Sequence, residues 1–336
     1  MALLEVRGLN VTFPTEDGLV HAVRDVDFDV ERGEVLGIVG ESGCGKSVTN
    51  MAIVGLLPRT TIVEGSVKFE GDELIGLPRR ALTRFRGRSI GMIFQDPMTS
   101  LNPVYRVGWQ LAEAVRAHRK VSKSQAWRRA VELLDLVGIP EPGRRVEAYP
   151  HELSGGMRQR VMIAMAMAND PEVLIADEPT TALDVTVQAQ ILETLKETQE
   201  RTNIAIILIT HDLGVVAGVA DRVMVMYAGS VVETSPVDDL FYRPRMPYTE
   251  GLLGAIPSEH SEGKRLRQIR GTTPSLIELK PGCAFSPRCP IADDRCRSVT
   301  PLLVPTDLEG HEARCHKWHD LASGKAAGLF EEATSE

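Results

Sequence analysis

Apolar and polar residues alternate along residues 3–13 and again along 20–30, where Val20, Ala22, Val26, Phe28 and Val30 mark one face. This period-two pattern predicts two antiparallel strands, and Asp17-Gly18 between them is a turn signal. Farther on the pattern changes. Residues 35–39, 90–94, 173–177 and 204–209 are apolar almost without interruption, as strands are when a parallel sheet is covered on both faces. Residues 97–170 take on helical spacing, clearest over Trp109 to Ala117 and Ser124 to Val137, with Val137-Gly138-Ile139-Pro140 as a helix stop. Arg222 to Tyr227, Ala228-Gly229-Ser230 and Val231-Val232-Glu233 read as a closing hairpin. Ala322 to Glu336, small and acidic, reads as a frayed tail. The elements together predict an α/β fold with no internal repeat.

Chemistry enters where the first buried strand ends. Gly40-Glu41-Ser42-Gly43-Cys44-Gly45-Lys46-Ser47 fits G-x-x-x-x-G-K-[ST] and directly follows Val35 to Val39, the strand-to-helix context that gives the motif meaning. Its glycines let backbone N–H groups turn inward to phosphate oxygens, helped by the positive end of the next helix. Lys46 is placed to reach the β- and γ-phosphates and Ser47 to ligate Mg²⁺. Gly40, Ser42, Gly43, Cys44, Gly45, Lys46, Ser47 and Val48 are thus the nucleotide-binding candidates, with Cys44 at a position that any small residue fits. A second anion site is written in Leu153-Ser154-Gly155-Gly156-Met157-Arg158-Gln159-Arg160, where Ser154 is a good N-cap and the glycines leave N–H groups uncovered. Val173 to Asp177 is a short buried strand ending in a carboxylate. Glu178 follows Asp177 directly, and paired acids after a strand are by themselves more often a solvated turn.

LSGGMRQR resembles the signature of ABC-type ATPases, and the remaining motifs follow in that family's order. Asp177-Glu178-Pro179-Thr180 matches its catalytic run, which implies that Asp177 holds Mg²⁺ and Glu178 orients and deprotonates the attacking water. Ala182-Leu183-Asp184 resembles the D-loop that crosses its dimer interface. His211, after the strand 204–209, falls where the family keeps its γ-phosphate switch histidine. Gln95 resembles the Q-loop glutamine that links the metal site to the membrane partner. Phe13 matches the aromatic that stacks on adenine, although an ordinary strand aromatic fits the residue alone as well. The resemblance implies a P-loop NTPase with a mixed core sheet, a small antiparallel β subdomain carrying Phe13, and a helical subdomain over about 97–170 that grips the transporter. It also implies a head-to-tail dimer with a second ABC ATPase subunit, in which Ser154, Gly155, Gly156 and Asp184 of one chain face the nucleotide of the other.

The chain has 336 residues, 43% of them hydrophobic and 25% charged, with a formal net charge of −8. That is enough for one ATPase domain, residues 1–255, and an appendage, 256–336. An acidic balance without a polybasic block argues against nucleic acid as a partner. No apolar run approaches the roughly 18–20 residues that cross a bilayer, and the first residues show no export signal. The expected location is the cytoplasmic side of the inner membrane, held there by other chains.

Cys283, Cys289, Cys296 and Cys315 cluster in the appendage with spacing C-x₅-C-x₆-C-x₁₈-C. A cytosolic chain has little use for structural disulfides, so clustered thiols point to a metal. The C-x₂₋₄-C knuckle of zinc sites is missing, whereas a [4Fe–4S] cluster takes four thiolates at wider spacing. Zn²⁺ and unliganded thiols are the alternatives, and His311, His316 and His319 are near enough in sequence to replace one cysteine. Gly282 to Pro290 resembles the C-terminal extension of peptide-importer ATPases, some of which carry such a cluster. Tyr242 to Thr249, Leu252 to Pro257 and Gly271 to Ser275 resemble the dipeptide/oligopeptide/nickel branch of bacterial ABC importers. The resemblance thus implies an ATP- and Mg²⁺-dependent motor for di- or oligopeptide import. It would work with a related ATPase chain, two membrane permease subunits and an extracytoplasmic peptide-binding receptor. The alternatives are nickel or another small solute as cargo, or a non-transport ABC ATPase.

Overall fold

The computed structural model describes residues 2–94, 101–180, 184–256, 269–277, 279–324 and 329–330. The chain folds as two units, one of Met1–Leu4, Val30–Val35 and Phe69–Ile209, the other of Glu5–Asp29, Leu36–Lys68 and Thr210–Glu336.

In the second unit the alternating N-terminal segments form a hairpin of strands Leu4–Thr15 and Gly18–Val30, and strand Ile62–Phe69 neighbours the first of them. Val6, Leu9, Val11, Val26, Phe28 and Val30 are buried, as the period-two reading requires. The turn falls on Glu16-Asp17, one residue earlier than the Asp17-Gly18 signal suggests. Strand Val35–Val39 is buried throughout and pairs in parallel with Arg222–Tyr227, in the register Leu36↔Arg222 to Val39↔Val225. Arg222–Tyr227 turns back through Ala228-Gly229 into Ser230–Pro236, the closing hairpin, with a bulge between Val231 and Glu233. Two very short strands from the C-terminal region extend this sheet. Glu312–Ala313 pairs antiparallel with Ser230–Pro236, and Val304–Pro305 pairs with Glu312–Ala313.

In the first unit, strands Ile90–Ile93, Val173–Asp177 and Ala205–Thr210 pair in parallel around a core that includes Ile90, Ile93, Leu174, Ile175, Ile207 and Ile209. Helices Val107–His118 and Lys123–Leu136 match the sequence reading to within two residues at each end. Helix Gly155–Ala166 follows and, after the strand at 173–177, helix Val185–Thr202. Lys123–Leu136 starts at a capping box: the Gln125 N–H donates to Ser122 Oγ at 3.2 Å and the Ser122 N–H donates to Gln125 Oε1 at 2.8 Å. Its buried residues are Ala126, Ala130, Leu133 and Leu134, the spacing of one helix face. Among the described residues no helix is long and apolar enough to cross a membrane.

Candidate nucleotide and thiol sites

In the second unit, the loop after Val39 is shaped by two glycines that nothing larger could replace in place. Gly40 has φ 151° and an added Cβ would lie 2.3 Å from the Met226 carbonyl oxygen; Gly45 has φ 106° and its Cβ would lie 2.5 Å from that of Ala22. The chain therefore curls tightly against the strand ending at Tyr227 and opens helix Lys46–Ile53 with Gly45 as N-cap. Lys46 is buried, and its ammonium donates to the carbonyls of Gly40 (2.7 Å) and Glu41 (3.1 Å), so it spans the loop from within. Ser42 and Gly43 are exposed, Ser47 and Val48 half-buried. Cys44 is buried, burial pushes its thiol up, and its carbonyl accepts from the Gly229 N–H at 3.0 Å. It is a packing residue, as its place in the motif suggests. Phe13 is half-buried in its strand, and His211 is exposed just ahead of the Asp212-capped turn of helix.

The first unit carries the carboxylates and the signature. Asp177 is buried at the end of its strand. Glu178 has φ 47°, a left-handed conformation rare for glutamate, while its N–H donates to the Ile209 carbonyl at 3.0 Å. Backbone held off its preferred region by surrounding bonds marks positions where side-chain aim matters. Ser154 caps helix Gly155–Ala166, accepting from the Met157 N–H at 3.3 Å, and is exposed together with Gly155. Arg160 donates to the Val137 carbonyl at 2.8 Å, tying the signature helix to the C-terminal end of helix Lys123–Leu136. Asp184 is exposed and caps helix Val185–Thr202, accepting from the Val187 N–H at 3.0 Å. A cavity of about 210 Å³ opens beside the signature, lined by Ser154, Gly156, Met157, Arg160, Val187 and Gln190 among others. Gln95, Ala182 and Leu183 lie outside the described residues.

In the C-terminal region all four clustered cysteines line one small pocket together with Met246, Phe285, His316 and Lys317. None is in a disulfide. Burial raises each thiol, Cys289 to about 11 and Cys315 to about 12, and the other three thiols add to the shift at Cys315. The Lys317 N–H donates to Cys315 Sγ at 3.3 Å, and the Cys283 N–H donates to the Cys296 carbonyl at 2.7 Å. Among the described residues no three His, Cys, Asp or Glu side chains converge tightly enough to hold a metal ion. Two of the three nearby histidines are engaged elsewhere: His311 bonds buried Glu233 at 2.8 Å and His319 stacks on Trp318. Only His316 lines the thiol pocket, where its Nε2 sits 2.9 Å from the Val299 carbonyl. Sequence proximity alone had made all three candidate ligands.

Residues 23–181 match the family model of the ABC transporter, and residues 232–296 that of the oligopeptide/dipeptide transporter C-terminal region. The chain is 55% identical over 300 residues to the oligopeptide transport ATP-binding protein OppD of Salmonella typhimurium, covering 89% of this chain and 90% of that protein. It is 53% identical over 301 residues to the dipeptide transport ATP-binding protein DppD of Bacillus subtilis, covering 89% and 90%. It is also 55% identical over 330 residues to OppD of Mycobacterium bovis; there it covers 98% of this chain but spans about half, 54%, of the relative. Among solved structures, a dimeric bacterial ABC transporter cassette superposes with a TM-score of 0.62 at 29% identity, covering 70% of this chain and 98% of that one. The same cassette in a post-hydrolysis state bound to ADP and Pi gives 0.62 at 28% identity, covering 70% and 98%.

Proposed function

We propose that this chain, which belongs to the ABC transporter ATP-binding proteins and within them to the oligopeptide/dipeptide branch, is the ATP-hydrolysing motor subunit of an importer for di- or oligopeptides. The observation that carries the reading is 55% identity to an oligopeptide transport ATP-binding protein over nine-tenths of its length, with no phosphate-site motif damaged. The loop Gly40–Ser47 and Lys46 hold the triphosphate. Ser47 and Asp177 offer hydroxyl and carboxylate oxygens, the donor set Mg²⁺ takes, and Gln95 completes it. Glu178 deprotonates the attacking water and His211 contacts the γ-phosphate. Phe13 stacks on the adenine. Ser154, Gly155, Gly156 and Asp184 serve the nucleotide of a second ATPase chain, and the dimeric state of the similar solved cassette supports that arrangement.

The membrane partners are two permease subunits, fed by an extracytoplasmic peptide-binding receptor, and this chain sits peripherally on their cytoplasmic face. Val104, Tyr105 and Trp109 support the assignment of the helical segment as the coupling surface: all three are exposed, and the two rings stack 4.3 Å apart. Large apolar groups left in water mark a surface that another chain covers. Purification of the chain with its permeases, followed by vesicle reconstitution, tests the reading. ATP hydrolysis should rise when a peptide-loaded receptor is added and not when a nickel-loaded one is; the opposite preference would reassign the cargo.

For the four thiols, which line one pocket, the reading is a [4Fe–4S] cluster, because their sequence spacing lacks the C-x₂₋₄-C knuckle of zinc sites; Zn²⁺ is the alternative. A four-iron cluster takes one thiolate per iron. When bound, the cluster supplies cross-linking of a segment with little core of its own. Protein purified without oxygen should be brown and contain about four irons per chain. Zinc without iron would sink the cluster and keep a structural metal; neither metal would sink both.

A further inference from the structure

Arg288 lies between Cys283 and Cys289, outside every phosphate motif, yet its guanidinium grips the phosphate loop. Its two terminal nitrogens donate to both carboxylate oxygens of Glu41, at 2.6 and 2.9 Å. Glu41 is the second residue of Gly40–Ser47. It is held at two further points, its N–H donating to Tyr248 Oη at 2.9 Å and its carbonyl accepting from Lys46 at 3.1 Å. The Arg288 side chain is 5% exposed. It packs over the rings of Tyr227 and Phe285 at 5.8 and 5.9 Å, and its Nε donates to the Arg270 carbonyl at 3.2 Å. Tyr227, Tyr248 and Phe285 touch one another in all three pairs, with centroids 4.7 to 5.3 Å apart. The guanidinium is thus fixed on an aromatic platform, and a planar, bidentate pair of this kind fixes orientation as well as charge.

The charge matters because of where the carboxylate sits. Glu41 lies within the loop itself, next to exposed Ser42 and Gly43, so an unpaired negative charge there opposes an incoming polyphosphate. We propose that Arg288 is a positioning residue for the nucleotide reaction: it holds Glu41 and the main chain of Gly40–Ser42 in phosphate-receiving shape while cancelling the carboxylate's charge. The segment bearing Cys283 and Cys289 then bears directly on nucleotide affinity. By linkage, whatever strengthens the Arg288–Glu41 pair tightens nucleotide binding, and bound nucleotide strengthens that pair by the same factor. The proposal rests on the reading of Gly40–Ser47 as the triphosphate site.

The test uses the full-length chain and a fluorescent ATP analogue. Wild type must bind it and Lys46→Ala must not; failure at that step counts against the nucleotide site itself and is separate from the role of Arg288. Arg288→Met should then weaken binding by about tenfold, within the usual range of site-to-site coupling. Glu41→Gln alone should lose less. The double variant Arg288→Met/Glu41→Gln should bind more tightly than Arg288→Met, because it removes the orphaned charge; such non-additivity is the mark of a direct interaction. Arg245→Met provides the comparison, since Arg245 pairs with Asp307 at 2.8 and 3.0 Å and anchors the same C-terminal region without touching the loop. It should lower the melting temperature and leave affinity unchanged. Wild-type affinity in Arg288→Met, an equal loss in Arg245→Met, or strictly additive losses in the double variant would each overturn the proposal. If Arg288→Met does not fold, Arg288→Lys takes its place: a loss of about threefold supports the bidentate role, and wild-type affinity overturns it.

Discussion

Glu178→Gln should keep ATP binding and lose steady-state hydrolysis by at least ~10²-fold, the scale of a missing general base. The amide preserves shape and polarity, so the φ of 47° and the N–H bond to Ile209 that fix this residue need not change. What disappears is the ability to take a proton from water. The measurement requires an assembled transporter in which the glutamate of this chain serves a site completed by its partner's signature. Single-turnover hydrolysis separates the chemical step from product release. A variant with near-normal turnover in an active assembly would show that another group positions the water.

His311→Leu should destabilise the C-terminal half by ~1–3 kcal/mol, the cost of leaving a buried polar group without its partner. His311 and Glu233 side chains are both fully buried and meet at 2.8 Å. The same Glu233 oxygen accepts from the Arg245 N–H, while Glu233 Oε2 and His311 Nδ1 have no hydrogen-bond partner among the described residues. Leucine would leave the carboxyl with one donor in an apolar setting. The expected signs are an earlier denaturation midpoint and faster amide exchange at residues 304–313, with exchange at residues 173–177 unchanged. A loss under about 1 kcal/mol would mean that Glu233 finds water or a new donor.

These two residues also mark what a sequence can and cannot disclose here. Asp177 and Glu178 are legible because the run Asp177-Glu178-Pro179-Thr180 at the end of an apolar strand resembles the catalytic run of ABC-type ATPases. Helix Lys123–Leu136 is legible because its cap and apolar stripe are local. His311 is not: its partner is 78 residues away, and proximity to cysteines suggested a ligand where the fold needed a buried hydrogen bond. Arg288 and Glu41, 247 residues apart, were missed for the same reason. No periodicity links two charges that meet only after the C-terminal region folds back on the loop. The two-residue strands Val304–Pro305 and Glu312–Ala313 fall below the length at which alternation can be seen. The left-handed φ of Glu178 leaves no trace either, because glutamate is not a residue chosen for that conformation.

The pairing of Glu312–Ala313 with Ser230–Pro236 has a consequence for solubility. Where that strand lies against Ser230–Pro236, it occupies main-chain hydrogen-bonding groups that would otherwise face water: the Arg314 N–H donates to the Val232 carbonyl at 2.8 Å, and the Arg314 side chain to the Val231 carbonyl. Removing everything after residue 255 would bare that row beside Val231 and Val232, both buried in the full chain. An open, apolar strand edge is a template for pairing with another molecule. The shortened chain should therefore self-associate with concentration in a sedimentation experiment, even with its phosphate motifs complete, and a charge placed at Val232 should suppress the association. On this expectation the C-terminal region keeps the sheet from sticking to copies of itself, independently of any role of its thiols.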